Sequence, residues 1–549
     1  MKRKFFARFL VVAFLAVGCG APATASPLPV ESPTLTAQPT HTPRPTATRR
    51  PPTPTLTPEP GLRTSGPYFA YFQEVNGIRR LVFMDADGEG RKVIELPEAI
   101  NDSFAIIKPL DLDMRSVSPD GHWFAFHTGS AGNYGEMPAQ GTSDLSLNLL
   151  DLTTGEEQVV TPLLSKDYPD NFVEAAGKLN DPDITAQSLH DAFISGITEA
   201  VAWSPDGRYL AFAGQMDGLS SDLYVYDVNE KTIRRLSSGD QELQWISWSP
   251  DGKWILHGSV FWVGAGMTFD IYTATVDGSL APYISTNILY DGIENWLNAH
   301  QYFENDGENG PGEYGLRLVD IDTGGITRIW DGSFRSYAVD KNGMWVSILA
   351  ASPDAPPKYD NGYYVYDYDS DFVPGIYLIN LATLEKSRVE VPGDHDFYGV
   401  ASFGLGGREF VISDGAFRNA NAMFLSTNGA LTQTDLGDVK IYVSPNSGYW
   451  LAITTITSIN NQNFLVIDGQ YVKIFSADNA LIRNIPLFSP ENIFISNLTW
   501  RPDSSGLFFI SGTEIFSMNI PSGEIKVVEP NLSDNYGEAA LRYKWVNVQ

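Results

Sequence analysis

Short apolar runs with alternating side chains recur along the chain and are separated by turn-forming residues. In the clearest copy, Ala202 to Gly214, an apolar run ends at Trp203, Ser-Pro-Asp-Gly follows, and a second run alternates from Tyr209 to Ala213. Proline fixes φ, aspartate bonds nearby backbone and glycine accepts positive φ, so the tetrapeptide predicts a tight turn. The flanking period-two alternation predicts two half-buried strands.

The same unit recurs at Ser116–Gly129, Ser247–Ser259, Tyr442–Thr455 and Thr499–Gly512. Two further strands follow it, as at Asp222–Val228 and Thr232–Ser237, and Pro205 and Pro250 are 45 residues apart. Four short antiparallel strands at this period are typical of one blade of a β-propeller, with a WD40-like repeat. The predicted fold class is therefore all-β, a single propeller of four-stranded antiparallel blades.

The number of blades and their closure follow from the repeat starts. With the first blade there are nine candidate units, the others beginning near Arg115, Glu199, Gln244, Asn295, Ser336, Gly399, Lys440 and Asn497. The unit near Asn295 lacks Ser-Pro-Asp-Gly, so we predict eight blades and leave seven and nine open. The first blade lacks its first strand and Arg542–Val548 is a spare one, which predicts that the C-terminal strand pairs with Tyr68–Phe72 and closes the ring.

These motifs resemble the TolB-type propeller and are similar to the propellers of the prolyl oligopeptidase and dipeptidyl peptidase IV families. The resemblance covers residues 67–549 and concerns the repeat pattern rather than residue-by-residue identity. It implies a fold, and it implies function only loosely because propellers carry many activities.

The N-terminus reads as an export and anchoring signal. Residues 1–18 combine a basic start with a short apolar run and predict a signal peptide. The segment Leu15–Cys19 resembles a bacterial lipobox, although Ala16 stands where that pattern prefers leucine. The resemblance implies cleavage before Cys19, a diacylglycerol on its thiol, and a membrane-anchored protein on the extracytoplasmic side, at the outer surface or in the periplasm. The alternative is an ordinary signal peptide with an incidental cysteine.

Two further segments complete the predicted domain organisation. Residues 19–66 form a proline- and threonine-rich tether that lacks the apolar residues needed for a core. The propeller is assigned to residues 67–549. Within it, residues 163–198 form a partly helical insertion, because Asp183 can cap an apolar stripe that runs to Phe193.

Charge and cysteine content exclude several function classes. The formal net charge is −29 at pH 7, which makes nucleic acid an unfavourable partner. Cys19 is the only cysteine, so neither an intrachain disulfide nor a thiolate zinc site is available. The oligomeric state stays open.

Strand order places the long insertions on one face of the ring, where binding residues concentrate. These insertions are rich in acids and aromatic residues, which suit a sugar ring or a cationic peptide. The candidate ligand-binding residues are Trp262, Glu304, Asp306, Glu308, Tyr359, Asp360, Tyr364, Asp367, Asp369 and Asp371. The alternative is that these loops are solvated hairpins that extend a blade.

One metal site can be argued from spacing. Asp367, Asp369 and Asp371 could gather oxygens around calcium, but they lack the glycine and the distal glutamate of an EF-hand loop. On a strand the same spacing would place all three on one face without a metal. Calcium is the only cofactor that the sequence suggests.

Motifs for catalysis are missing from the chain. Neither a Gly-x-Ser-x-Gly elbow nor a His-Glu-x-x-His pair occurs. We therefore predict a lipid-anchored binding or assembly scaffold for a protein, peptide or glycan. The alternative is a carbohydrate-active or other hydrolytic enzyme that uses acidic residues of the long-loop face.

Overall fold

Antiparallel strands account for almost all of the regular secondary structure that the computed structural model describes. It describes residues 61–76, 78–97, 114–129, 145–165, 196–198, 200–217, 220–238, 242–263, 266–279, 285–286, 296–304, 313–355, 358–360, 363–365, 372–391, 397–414, 421–433, 439–459, 465–487, 495, 497–530, 532 and 543–546. The predicted signal peptide, the tether up to residue 60 and residues 166–195 of the predicted insertion lie outside this set. No helix in the described ranges has the length and hydropathy needed to cross a membrane.

The strands of the first half are β1 (Tyr68–Val75), β2 (Ile78–Met84), β3 (Arg91–Glu95), β4 (Trp123–Thr128), β5 (Ser146–Asp151), β6 (Glu157–Pro162), β7 (Val201–Trp203), β8 (Tyr209–Gly214), β9 (Asp222–Asp227), β10 (Thr232–Arg235), β11 (Glu242–Trp248), β12 (Trp254–Val263), β13 (Gly266–Thr275), β14 (Ser285–Thr286), β15 (Gln301–Glu304), β16 (Glu313–Asp320) and β17 (Gly325–Val339). Those of the second half are β18 (Trp345–Ala350), β19 (Lys358–Asp360), β20 (Tyr363–Val365), β21 (Gly375–Asn380), β22 (Lys386–Arg388), β23 (Phe397–Leu405), β24 (Arg408–Asp414), β25 (Asn421–Leu425), β26 (Leu431–Gln433), β27 (Val439–Val443), β28 (Tyr449–Ile459), β29 (Leu465–Ser476), β30 (Leu481–Leu487), β31 (Asn497–Trp500), β32 (Gly506–Ser511), β33 (Glu514–Asn519), β34 (Ile525–Glu529) and β35 (Tyr543–Val546). A 3-10 helix at Met114–Ser116 and a helical turn at Gly196–Thr198 are the helical elements described.

Eight sheets of three or more strands form the blades of the propeller. In chain order they are blade 1 (β35, β1, β2, β3), blade 2 (β4–β6), blade 3 (β7–β10), blade 4 (β11–β14), blade 5 (β15–β18, β21, β22), blade 6 (β23–β26), blade 7 (β27–β30) and blade 8 (β31–β34). Six of them have four strands, and β19 and β20 form a separate hairpin. The predicted all-β, eight-bladed propeller is confirmed.

Blade 5 explains why nine candidate units give eight sheets. Strand β17 pairs with β16 along its first part and with β18 along its second part. The units that begin near Asn295 and Ser336 are therefore hydrogen-bonded into one six-stranded sheet. At Gly332, two residues before the pairing passes from β16 to β18 at Phe334, a Cβ would lie 1.8 Å from the carbonyl oxygen of Pro353, so glycine allows the long strand to pass.

The Ser-Pro-Asp-Gly turns are held by one repeated hydrogen-bond pattern. Ser204 Oγ donates to Asp206 Oδ1 at 2.6 Å and accepts from the Tyr209 backbone N–H at 2.9 Å. The serines of the copies at Ser118 and Ser249 make the same two contacts. Because the serine side chain is buried, it satisfies backbone groups that water cannot reach. In blade 5 the carboxylate of Asp340 takes this role.

Ring closure by the C-terminal strand is confirmed. Strand β35 pairs antiparallel with β1, with Phe69 opposite Trp545. The indole N–H of Trp545 donates to Thr499 of blade 8 at 3.1 Å. Trp203 and Trp248 likewise donate to a backbone oxygen of the preceding blade, each at 3.0 Å. Trp545 thus has in blade 1 the same role that Trp203 and Trp248 have in blades 3 and 4, although it is half-buried where the other two are buried.

A buried polar cluster also joins blade 1 to blade 8. The Tyr71 hydroxyl donates to Glu529 Oε2 at 2.9 Å, and Arg91 Nη1 lies 3.0 Å from the same oxygen. A second nitrogen of Arg91 donates to the carbonyl of Val528. Apolar contacts also join these two blades. The ring centroids of Phe69 in blade 1 and Phe508 in blade 8 are 4.7 Å apart.

Candidate functional site

The order of strands separates two faces of the propeller. We call the side that carries the first-to-second turns, such as Ser204–Gly207 between β7 and β8, the turn face. The other side, which carries the connections from second to third strands and from blade to blade, is the loop face. In an antiparallel blade these two classes of connection lie at opposite ends of the strands.

A cavity of about 480 Å³ opens among the inner strands of blades 5 and 6 on the turn face. Its lining residues are Trp296, Leu297, Phe303, Tyr337, Ala338, Val339, Asp340, Lys341, Asn342, Gly343, Val400, Ala401 and Ser402. Its size falls within the range of small-molecule sites.

A degenerate repeat accounts for this cavity. In front of β15 the described residues contain an isolated bridge between Trp296 and Tyr302. The turn that follows closes through the Leu297 N–H and the Gln301 carbonyl oxygen at 2.9 Å, without Ser-Pro-Asp-Gly. Gly343 has a φ of +67°, and Leu297 Cδ1 lies 2.9 Å from where its Cβ would be. The two turns therefore meet closely, and the space lies beneath them.

The cavity has an apolar floor and a polar rim. Phe303, Ala338 and Val400 are buried in the floor. Trp296 is half-buried and its indole N–H already donates to Ser247 Oγ at 3.1 Å, so it presents carbon atoms to the cavity. Ser402 is exposed at the rim and supplies a hydroxyl group.

Charged groups at the rim are partly committed to the protein. Asp340 is the one acid among the lining residues, and its carboxylate accepts from the backbone N–H groups of Met344 and Trp345, each at 2.6 Å. Lys341 donates to Ser447 Oγ at 2.6 Å. Burial raises the pKa of nearby Glu409, the negative charge of Asp340 raises it further, and Lys341 opposes both. The lining does not offer the pair of carboxylates that glycoside hydrolysis needs.

The predicted loop-face residues fall into three groups. Glu304 ends β15, is buried, and lies 3.7 Å from Arg317 Nη1 through its Oε1 atom, so it belongs to an internal ion pair. Tyr359 and Asp360 lie in β19 and Tyr364 in β20, and Trp262 lies near the end of β12. Asp306, Glu308, Asp367, Asp369, Asp371 and Cys19 lie outside the described residues. Ligand binding by these residues stays a prediction.

Calcium also stays a prediction, since its three aspartates are not described. Within the described ranges, no group of three or more histidine, cysteine, aspartate or glutamate residues is arranged to hold a metal ion. The cavity itself was not predicted. Its signal in the sequence was the unit near Asn295 without Ser-Pro-Asp-Gly, because the turn at Leu297 that replaces this motif lines the cavity.

Comparisons with known proteins add similarity at the level of fold. No family model matches the chain, and no curated protein matches it. Among solved structures, the chain is similar to a eukaryotic initiation factor (14% identity, 85% of this chain and 97% of that chain, TM-score 0.44). It is also similar to the dihydro-heme d1 dehydrogenase NirN (11% identity, 88% of this chain and 77% of that chain, TM-score 0.37). A third similar structure is TolB from Acinetobacter baumannii (16% identity, 68% of this chain and 64% of that chain, TM-score 0.22). The propeller assignment rests on the sheets of this chain, and that fold is compatible with a binding or scaffold role.

Proposed function

We propose that this protein is an extracytoplasmic, lipid-anchored propeller that acts as a binding or assembly scaffold for a protein, peptide or glycan. The observation that carries the binding role is the turn-face cavity, where an apolar floor lies beneath an exposed rim of Ser402, Lys341 and Asn342. Concave sites with a few convergent polar groups are the usual place for a ligand, and this lining exposes more polar than apolar surface. Such a site fits a ligand that carries both hydrogen-bonding groups and an apolar face.

Filling the cavity should weaken ligand binding without unfolding the ring. We expect Ser402→Trp to weaken the Kd of a ligand found on glycan or peptide arrays at least tenfold, because an indole would occupy the space that the ligand needs. Calorimetric titration of purified full-length protein measures this. Ser522→Trp, at an exposed tight turn of blade 8 on the same face, is the matched control and should leave the Kd unchanged.

Two results would count against this proposal. Equal Kd values for Ser402→Trp and the wild type would mean that the ligand binds outside the cavity, for example at the loop face. Failure of the folded protein to bind on either array would remove the binding role itself.

Lipidation at Cys19 is the part of the proposal that sets location. We expect Cys19→Ala to remain an unprocessed precursor in a bacterial host, because the thiol that accepts diacylglycerol is absent. Mass spectrometry of the N-terminal peptide from the membrane fraction tests this, with wild-type protein as the control. An unmodified Cys19 in mature wild-type protein would contradict the lipid anchor and leave secretion by an ordinary signal peptide.

A further inference from the structure

A cluster of ionisable side chains joins blades 3 and 4 on the loop face. Glu242 is the first residue of β11 in blade 4, and Ser221 directly precedes β9 in blade 3. The backbone N–H and the hydroxyl of Ser221 both donate to Glu242 Oε2, each at 2.8 Å. Ser221 Oγ in turn accepts from the backbone N–H of Leu243 at 2.9 Å. One carboxyl group therefore ties the start of an inner strand to the neighbouring blade.

This carboxyl group is shielded from solvent. The Glu242 residue is 5% exposed. Burial raises the pKa of Glu242 to about 7, the two hydrogen bonds from Ser221 oppose that shift, and the charge of Asp222 adds to it. Since both hydrogen bonds reach Oε2, a proton on the other oxygen leaves them intact.

The charges around Glu242 are mostly negative. Asp222 is buried and pairs with Arg235 at 2.5 Å, while Asp217 accepts from the Tyr224 hydroxyl at 3.2 Å. Burial raises the pKa of Asp222 to about 6 although Arg235 lowers it, and burial also raises the pKa of Tyr224. The Arg235 guanidinium pairs with Asp222, and no positive charge is among the effects on Glu242, so ionisation of Glu242 adds a charge that the described cluster does not neutralise.

We propose that Glu242, Ser221 and Asp222 form a pH-responsive latch between blades 3 and 4, closed while Glu242 is protonated and loosened when it ionises. The loosened element is the start of β11 together with the chain that enters β9. Both lie at the loop face, so the latch controls how firmly the connections of these two blades are held.

The direction follows from proton linkage. The pKa of this carboxyl group is higher in the closed state than in the open state. Its protonated form therefore stabilises the closed state, and this contribution is complete at pH values below the ordinary pKa. The contribution decreases as the pH rises towards the closed-state pKa. With values of about 7 when closed and 4.5 when open, the opening equilibrium should increase about tenfold between pH 6 and pH 8.

Amide hydrogen exchange of the full-length protein tests the latch. After correction for intrinsic exchange, protection of the Ser221 and Leu243 amides should decrease at least tenfold between pH 6 and pH 8, with about tenfold coming from Glu242. In Glu242→Gln, which keeps an oxygen acceptor but cannot ionise, the decrease should be at most about twofold, because Asp222 still titrates. In Asp222→Asn the dependence should persist with a lower midpoint, since a neighbouring negative charge is gone.

Amides of Phe508 and Phe509 in β32, far from this cluster in blade 8, serve as internal controls and should show no such step. A flat profile for the wild type would overturn the proposal. So would a tenfold decrease that survives in Glu242→Gln. If Glu242→Gln does not fold, the midpoint shift in Asp222→Asn decides alone, and an unchanged midpoint there also overturns it.

Discussion

A protein that ends at Leu541 should be unable to close the ring and should be destabilised by several kcal/mol. The truncation removes the fully buried Val546, the half-buried ring of Trp545 and the backbone pairing of β35 with β1. Deletion of one large core side chain alone costs about 3–5 kcal/mol. The truncation would also expose Phe69 and the edge of β1, which is a template for aggregation.

Limited proteolysis and the apparent melting temperature measure this effect, because large propellers need not unfold reversibly. A synthetic peptide of residues 542–549 provides the control, since a strand added in trans should restore part of the melting temperature. Trp545→Phe, which keeps the ring closed but loses the hydrogen bond to Thr499, should be affected much less. An unchanged melting temperature and solubility in the truncated protein would exclude closure by β35.

Removal of the cation between blades 1 and 8 should have the second largest effect. Arg91→Leu takes away the guanidinium that pairs with Glu529, whose side chain is 6% exposed. Breaking a buried pair by removing one partner costs about 3–5 kcal/mol, and we expect about 3 kcal/mol because Arg91 keeps some solvent contact. The apparent melting temperature should fall accordingly, and the first fragments in limited proteolysis should come from blades 1 and 8.

A second ion pair across the same interface offers a matched control. Lys526 lies 3.3 Å from Glu89, and both side chains are largely exposed. Lys526→Ala should change the melting temperature little, because solvent screens exposed pairs. Equal losses for the two variants would mean that burial of the Arg91–Glu529 pair does not matter.

Local chemistry made most of the fold predictable. Ser204 and Asp206 hold their turn through contacts within five residues, so the sequence motif contains its own structural cause. The spare strand at the C-terminus and the incomplete first blade were also visible, because an unpaired edge needs a partner. The joining of two units into blade 5 could not be predicted from the sequence. It depends on the continuation of β17 past Gly332, which no turn motif indicates.

The cavity and the latch depend on contacts between segments that the sequence does not relate. In the sequence, Glu242 resembles an ordinary surface acid. The structure shows that it is buried and that it accepts a hydrogen bond from Ser221 of the neighbouring blade. Glu304 was predicted at the loop surface, but the structure places it beside Arg317 inside blade 5. Acids are common in this chain, so residue type alone could not separate buried pairs from exposed ones.

Closure by β35 also determines when blade 1 can be completed during folding. Strands β1 to β3 are synthesised well before β35, yet β35 is the strand that completes their sheet. Contacts of such high sequence separation form slowly, and an edge that waits for its partner is open to wrong pairing. Blade 1 therefore stays incomplete until β35 has been synthesised, and the nascent chain depends on protection of the β1 edge during that interval.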